Sequence, residues 1–131
     1  MSSIIDNNDN DNDNEEHPLI NFGTHIILDI FDIENNEKLK YKKDIIYILD
    51  NIIKEFNLNV VDKAIYQFEP FGVTGVYVLS ESHLSIHTFV KEKKVAIDLY
   101  TCINFTKIQE FVEFVKNYFG ECNYNFTTVN R

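Results

Sequence analysis

The feature that most constrains this 131-residue chain is a succession of alternating apolar runs in its second half, "VTGVYVLSESHLSIHTFV" followed by "KEKK" and "VAIDLYTC". β-Branched and aromatic residues alternating with polar ones have the period of a half-buried strand, not of a helix. The charged "KEKK" between two such runs reads as a hairpin. A sheet with one apolar face needs a cover. Two segments have the right period to supply it. From Lys38 to Phe56, the residues Ile45, Ile48, Leu49, Ile52, Ile53 and Phe56 recur at three- and four-residue steps. In a second segment Ile108, Phe111, Val112, Val115 and Phe119 form the stripe. There Thr106 and Gln109 would make a capping box and Gly120 would end the helix. "FGTHIILDIFD" upstream, "AIYQFEP" stopped by Pro70 and Gly72, and "CNYNFTTVN" complete the strands. The order β-α-β-β-β-β-α-β predicts an α+β fold. The expected form is a two-layer α/β sandwich, a mainly antiparallel sheet with two helices on one face.

Charge divides the chain. Residues 1–17, "MSSIIDNNDNDNDNEEH", hold six acidic and no basic residues, and setting them aside takes the net charge from −9 to −3. Such a segment has no apolar area to offset the entropy of ordering, and is expected to be a disordered acidic Asn/Asp-rich tail. It lacks the glycine turn and closing Glu of a calcium loop. Residues 18–131 are then one domain. Its mild acidity leaves no basic face for nucleic acid. Its apolar runs fall short of a membrane span, and no signal peptide precedes them. Cys102 and Cys122 lack a Cys-x-x-Cys pattern and read as free thiols in a reducing compartment, the cytoplasm.

One polar stretch interrupts the strand pattern: Ser-Glu-Ser-His at 80–83, with a second His at 87. Patterning tends to break at working sites. Ser82, His87 and Cys102 are the candidates. In a regular strand Ser82, Leu84, Ile86 and Thr88 would share one face, and His83, Ser85, His87 and Phe89 the other. Ser82 and His87 could then act together only if the chain bends near Ser82-His83. Taken singly, a Ser or His of this kind is more often a surface residue, and a Cys after an apolar run more often a small core hydrophobe. A Ser-His-Asp triad with Asp98 lacks the Gly-x-Ser-x-Gly elbow. Zinc held by His83, His87 and Cys102 would need an unfamiliar ligand spacing.

"FEPFGVTGVYVLSESHLSIHTF" with the following "VAIDLYTC" resembles the bacterial and archaeal type of S-adenosylmethionine decarboxylase, and "FGTHIILDIFD" is similar to that family's Gly-x-His first strand. The likeness spans roughly residues 22–120. It implies a proenzyme that cuts itself between Glu81 and Ser82. The Ser82 hydroxyl would attack the Glu81 carbonyl, converting amide to ester. β-Elimination would then leave dehydroalanine, hydrolysed to a covalent pyruvoyl group. The resemblance puts the processing base at His87, with a hydroxyl assisting at Thr74, where Ser is more familiar. The pyruvoyl group at residue 82 would form a Schiff base with the substrate and act as electron sink, and Cys102 would donate the proton to the substrate Cα. Cys122 has no counterpart and reads as structural. The implied reaction turns S-adenosylmethionine into its decarboxylated form, the aminopropyl donor for spermidine synthesis, and carbon dioxide. The implied assembly is a homodimer of cleaved protomers with sites near the interface, acting on a small molecule.

The likeness weakens in the hairpin. Where the family has Trp-Pro-Glu, its Glu binding the substrate ribose, this chain has Phe89, Val90 and Lys91, with Glu92 one position late. A one-residue shift in a strand turns a side chain to the other face. Either Glu92 serves or the contact is lost. Phe68 matches the family's adenine-stacking aromatic and Leu84 its substrate-side apolar residue. Relatives that use arginine or ornithine make a pyruvoyl decarboxylase of a smaller amino acid the alternative. An uncleaved regulatory homologue is a third reading, against which Ser82, His87 and Cys102 argue.

Overall fold

The computed structural model describes residues 22–80, 82–102 and 104–131. The expected tail at 1–17 and the Glu81 side of the cleavage bond lie outside the described residues. β1 (Gly23–Phe31) is followed by a short 3-10 helix (Asn36–Leu39) and α1 (Lys42–Glu55). Four strands come next: β2 (Val60–Gln67), β3 (Val73–Leu79), β4 (Ser82–Phe89) and β5 (Lys94–Cys102). α2 (Ile108–Phe119) and β6 (Asn123–Asn130) complete the chain. The strands form one six-stranded sheet in the order β2-β3-β4-β5-β1-β6, and every neighbouring pair is antiparallel. The expected α+β sandwich is what the chain adopts.

Both helices lie on one face. Ile45, Ile48, Leu49 and Ile52 of α1 and Phe111, Val112, Val115 and Phe119 of α2 are buried against Ile26, Leu28, Ile30, Leu84, Ile86, Val95, Ile97 and Leu99 of the sheet. This apolar face is the driving term for the fold. Gly75 of β3 lets α1 approach: a Cβ there would come within 3.2 Å of Leu49 Cδ1 and 2.9 Å of Ile65 Cδ1. Tyr77, fully buried beside it, sends its hydroxyl to Asp50 Oδ1 of α1 at 2.6 Å. Burial and the neighbouring carboxylate hold that phenol well above the usual tyrosine range.

Three details depart from expectation. The first helical segment is split, with α1 proper starting at Lys42, because Gln67 of β2 intervenes. Its Oε1 accepts from Lys42 N and its Nε2 donates to Lys40 O, capping the helix from across the fold. Thr106 does not cap α2. The cap position is Lys107, and no side chain there bonds the helix start. Gly120 does end that helix, at a φ of 77°. Finally, β2 begins at Val60, four residues before the expected strand.

Candidate active site

The polar interruption is the end of a hairpin. β3 stops at Leu79 and β4 starts at Ser82, the two residues paired across the strands. From there β4 runs in unbroken register with β3 and β5 to its far end. The bend near Ser82-His83 that would let Ser82 and His87 act together is therefore absent. Leu84 and Ile86 are buried under the helices, while His87 is exposed on the uncovered face. Five residues of strand separate Ser82 from His87, roughly 16–17 Å. Within one chain the two are not brought together.

Two clusters form instead, at opposite ends of the sheet. At one end stand Ser82, His83 and Cys102. Cys102 is exposed, a free thiol at the tip of β5 and paired in register with Gly23 of β1. A Cβ on Gly23 would overlap the Thr101 carbonyl oxygen, which gives the first glycine of the Gly-x-His pattern a packing reason. At the other end His87 and Thr74 face each other across β4 and β3, with Thr74 Oγ1 3.1 Å from His87 Nδ1. The two residues expected as processing base and assisting hydroxyl are thus in direct contact.

Beside that second pair lies a groove of about 330 Å³, lined among others by Phe68, Thr88, Phe89, Lys91 and Glu92. Phe68 is 47 % exposed, in edge contact with Tyr66, so it is not a core residue. Residues 90–93 form a turn closed by Lys93 N donating to Val90 O at 3.1 Å. Strand alternation does not apply inside a turn, and Lys91 and Glu92 both line the groove. Leu84 does not reach it; its side chain is wholly buried in the core.

The uncovered face also carries a cluster that sequence reasoning missed. The rings of His25, His83 and Tyr100 meet pairwise at 5.9–6.0 Å, and the Arg131 guanidinium lies 5.5 Å over Tyr100. His25 Nε2 stands 3.6 Å from Asp98 Oδ2, buried and with no hydrogen-bond partner. Asp98 lies beside His25, and Ser82 and His87 stand apart along β4, so the described residues hold no Ser82-His87-Asp98 triad within one chain. Among the described residues no three potential ligands gather around a metal position. Burial, and then the nearby His25, hold His83 below the usual histidine range. Nothing local in the sequence links His25 to His83, because β5 lies between their strands. Cys122 is half-buried near the Lys116 carbonyl, and burial pushes its thiol up.

The sheet, its bare face and the paired Thr74 and His87 make a two-layer α/β scaffold with a polar motif at a hairpin end. The S-adenosylmethionine decarboxylase family model matches residues 24–131. The S-adenosylmethionine decarboxylase proenzyme of Hydrogenobaculum sp. is 36% identical over 95 residues, 72% of this chain and 70% of that one. That of Sulfurihydrogenibium sp. is 37% identical over 93 residues, 71% of this chain and 69% of the other. The crystal structure of the adenosylmethionine decarboxylase from Aquifex aeolicus superposes with a TM-score of 0.77 at 28% identity, covering 85% of this chain and 91% of that one. The chain belongs to the S-adenosylmethionine decarboxylase family, a family of enzymes.

Proposed function

We propose that the chain is a self-processing, pyruvoyl-dependent decarboxylase of S-adenosylmethionine. The relatives' names put that substrate ahead of arginine or ornithine. The observation that carries the reading is the division of the family's machinery between the two ends of one sheet. Ser82 and Cys102 occupy one end; Thr74, His87 and the Phe68 groove occupy the other.

Such a site is completed by a second copy. The uncovered face exposes Ile27, Val78, Phe89 and Val129, apolar area of the kind that marks an interface. A two-fold axis lying between two such faces and across the strands lays one end of each sheet over the other end of its partner. Ser82 and Cys102 of one protomer then meet the partner's groove and processing base. This supports a homodimer with two composite sites.

The residues present suit a pyruvoyl group made from Ser82. Ser82 opens a strand directly after a two-residue connection, where the cut would free a new chain end without dismantling the sheet. In the cut, Ser82 Oγ attacks the Glu81 carbonyl carbon and the Glu81–Ser82 C–N bond breaks, leaving an ester and a free amine at residue 82. His87 removes the residue 82 Cα proton, the Glu81 carboxylate departs, and hydrolysis of the resulting dehydroalanine releases ammonia. Thr74 Oγ1 fixes the ring of His87 through Nδ1 and leaves Nε2 for the proton. The pyruvoyl group supplies an electron sink for the pair released as carbon dioxide leaves. Cys102 delivers a proton to the substrate Cα. Phe68 stacks on adenine, and the Glu92 carboxylate accepts hydrogen bonds from the ribose. Leu84, buried, contributes through its backbone alone. No helix among the described residues is long and apolar enough to cross a membrane, and free thiols at Cys102 and Cys122 are in keeping with a cytoplasmic setting.

The test is carbon dioxide release from carboxyl-labelled S-adenosylmethionine by wild type and Ser82→Ala. The wild type should release label and the variant none. Release from arginine or ornithine alone would replace the substrate while keeping the mechanism.

A further inference from the structure

Self-cleavage creates a mechanical problem that the fold must solve. Before the cut, Ser82 is tied to β3 twice, through the chain at Ser80 and Glu81 and through its pairing with Leu79, and only the pairing outlives the cut. After it, residue 82 is a chain end, and chain ends fray unless tied down. Its own side chain has been consumed by the chemistry. The ladder joining β4 to β5 begins only at His83↔Tyr100, so no pair of that ladder reaches residue 82. His83 is the first side chain that could anchor the reactive end.

His83 is anchored from two other strands. It meets the Tyr100 ring of β5 at 5.9 Å and 40°, and the His25 ring of β1 at 5.9 Å and 78°. His25 and Tyr100 close the triangle at 6.0 Å and 71°. Edge and tilted ring contacts at these separations are favourable and directional. Arg131, following β6, covers Tyr100 from outside. Asp98, two residues before Tyr100 on β5, lies 3.6 Å from His25 Nε2. The third neighbour of His83, Val78 of β3, adds no charge.

Resting on the self-processing reading above, we propose that His83, gripped by His25 and Tyr100, is the positioning residue that holds residue 82 in line once the chain has been cut. Cutting happens while the hairpin is intact and does not need the grip. Turnover happens afterwards and does. His83 touches no reacting atom in this role. It acts through the backbone of its neighbour.

The experiment follows cleavage and turnover separately in the full-length chain carrying His83→Ala, His83→Phe or Tyr100→Ala. Fragment masses report the cut, and steady-state kinetics on the cut protein report turnover. His83→Ala should cut, then show kcat lowered about tenfold or more, since small displacements of a reacting group are costly. KM for S-adenosylmethionine should move less than about threefold, because the groove is untouched. His83→Phe keeps a ring in the triangle and should recover kcat to within a few-fold. Tyr100→Ala should behave like His83→Ala. Cut His83→Ala with wild-type kcat, or a loss lying wholly in KM, overturns the proposal. Should His83→Ala stay uncut or unfolded, cut Tyr100→Ala decides by the same two readouts. A wild-type chain that is never cut is a different failure, that of the self-processing reading.

Discussion

Thr74 Oγ1 and His87 Nδ1 lie 3.1 Å apart across the β3–β4 ladder, side by side on the uncovered face of the sheet. The bond ties the ring of His87 to one orientation and leaves its Nε2 directed away from the sheet's own hydroxyl. As the processing base proposed above, a ring held this way is ready for a proton presented from outside the chain.

Removing the hydroxyl should therefore slow cutting without abolishing it. One hydrogen bond contributes about 0.5–1.5 kcal/mol, so Thr74→Val should cut roughly two- to tenfold more slowly. Thr74→Ser keeps the acceptor and should match wild type. Cutting rates in freshly refolded protein, followed on denaturing gels, check this. Equal rates for Thr74→Val and wild type would remove Thr74 from processing.

The separation of Ser82 from His87 along a straight strand leads to a complementation test. Ser82→Ala and His87→Ala chains should each stay whole alone. Co-expressed with different tags, they form mixed dimers in which an intact Ser82 meets the partner's intact His87. The His87→Ala chain should then be cut in roughly half its copies, and the Ser82→Ala chain in none, if chains pair at random. No cutting in the mixture would place both residues of each site in one subunit.

In the groove, Glu92 stands with Phe68 and Lys91. Glu92→Gln should raise KM for S-adenosylmethionine about tenfold, the low end for a hydrogen bond to a charged acceptor because the site is open to solvent, while kcat changes little. Lys91→Ala should be mild. A kcat effect with unchanged KM would take Glu92 out of ribose binding.

The acid side of the stability curve should bear the mark of His83. Its folded pKa is lowered by burial and by His25, against the raising effect of Asp98. A group that is neutral in the folded state and titrates higher when unfolded binds more protons unfolded. Stability is then full above the ordinary histidine value of about 6.5 and falls as pH drops from there through the lowered folded value. Thermal melts between pH 7.5 and 5 should show a shallower acid-side decline for His83→Phe than for wild type. Parallel declines would show that His83 does not set the slope.

Tyr77→Phe tests the tie between α1 and the sheet. The lost partner, Asp50, is half exposed and can turn to water, so the cost is about 1 kcal/mol. For a domain of this size that lowers Tm by about 3–6 °C. An unchanged Tm would mean the hydroxyl contributes nothing beyond filling space.

Much of this was legible in the residues. Period two in "VTGVYVLS" and "VAIDLYTC", and the stripes through Ile45 to Phe56 and Ile108 to Phe119, placed strands and helices because burial on one face writes itself into spacing. The Glu-Ser-His motif with His87 and Cys102 carried the resemblance to the family. Helix starts were less legible. Gln67 caps α1 from a strand 25 residues away, and no local pattern records that. The spatial division of the site was hidden for a related reason. Ser82 and His87 are neighbours in sequence, which suggested a bend, whereas the straight ladder separates them. The His25, His83 and Tyr100 triangle depends on sheet order, which spacing does not encode.

The most direct test of the central claim is the intact mass of the purified full-length chain. Two species should appear, residues 1–81 and residues 82–131, the second beginning with a pyruvoyl group in place of Ser82 and so blocked to Edman sequencing. Ser82→Ala should give one species of the full mass. A folded wild-type chain that remains one species after prolonged incubation would contradict the self-processing account.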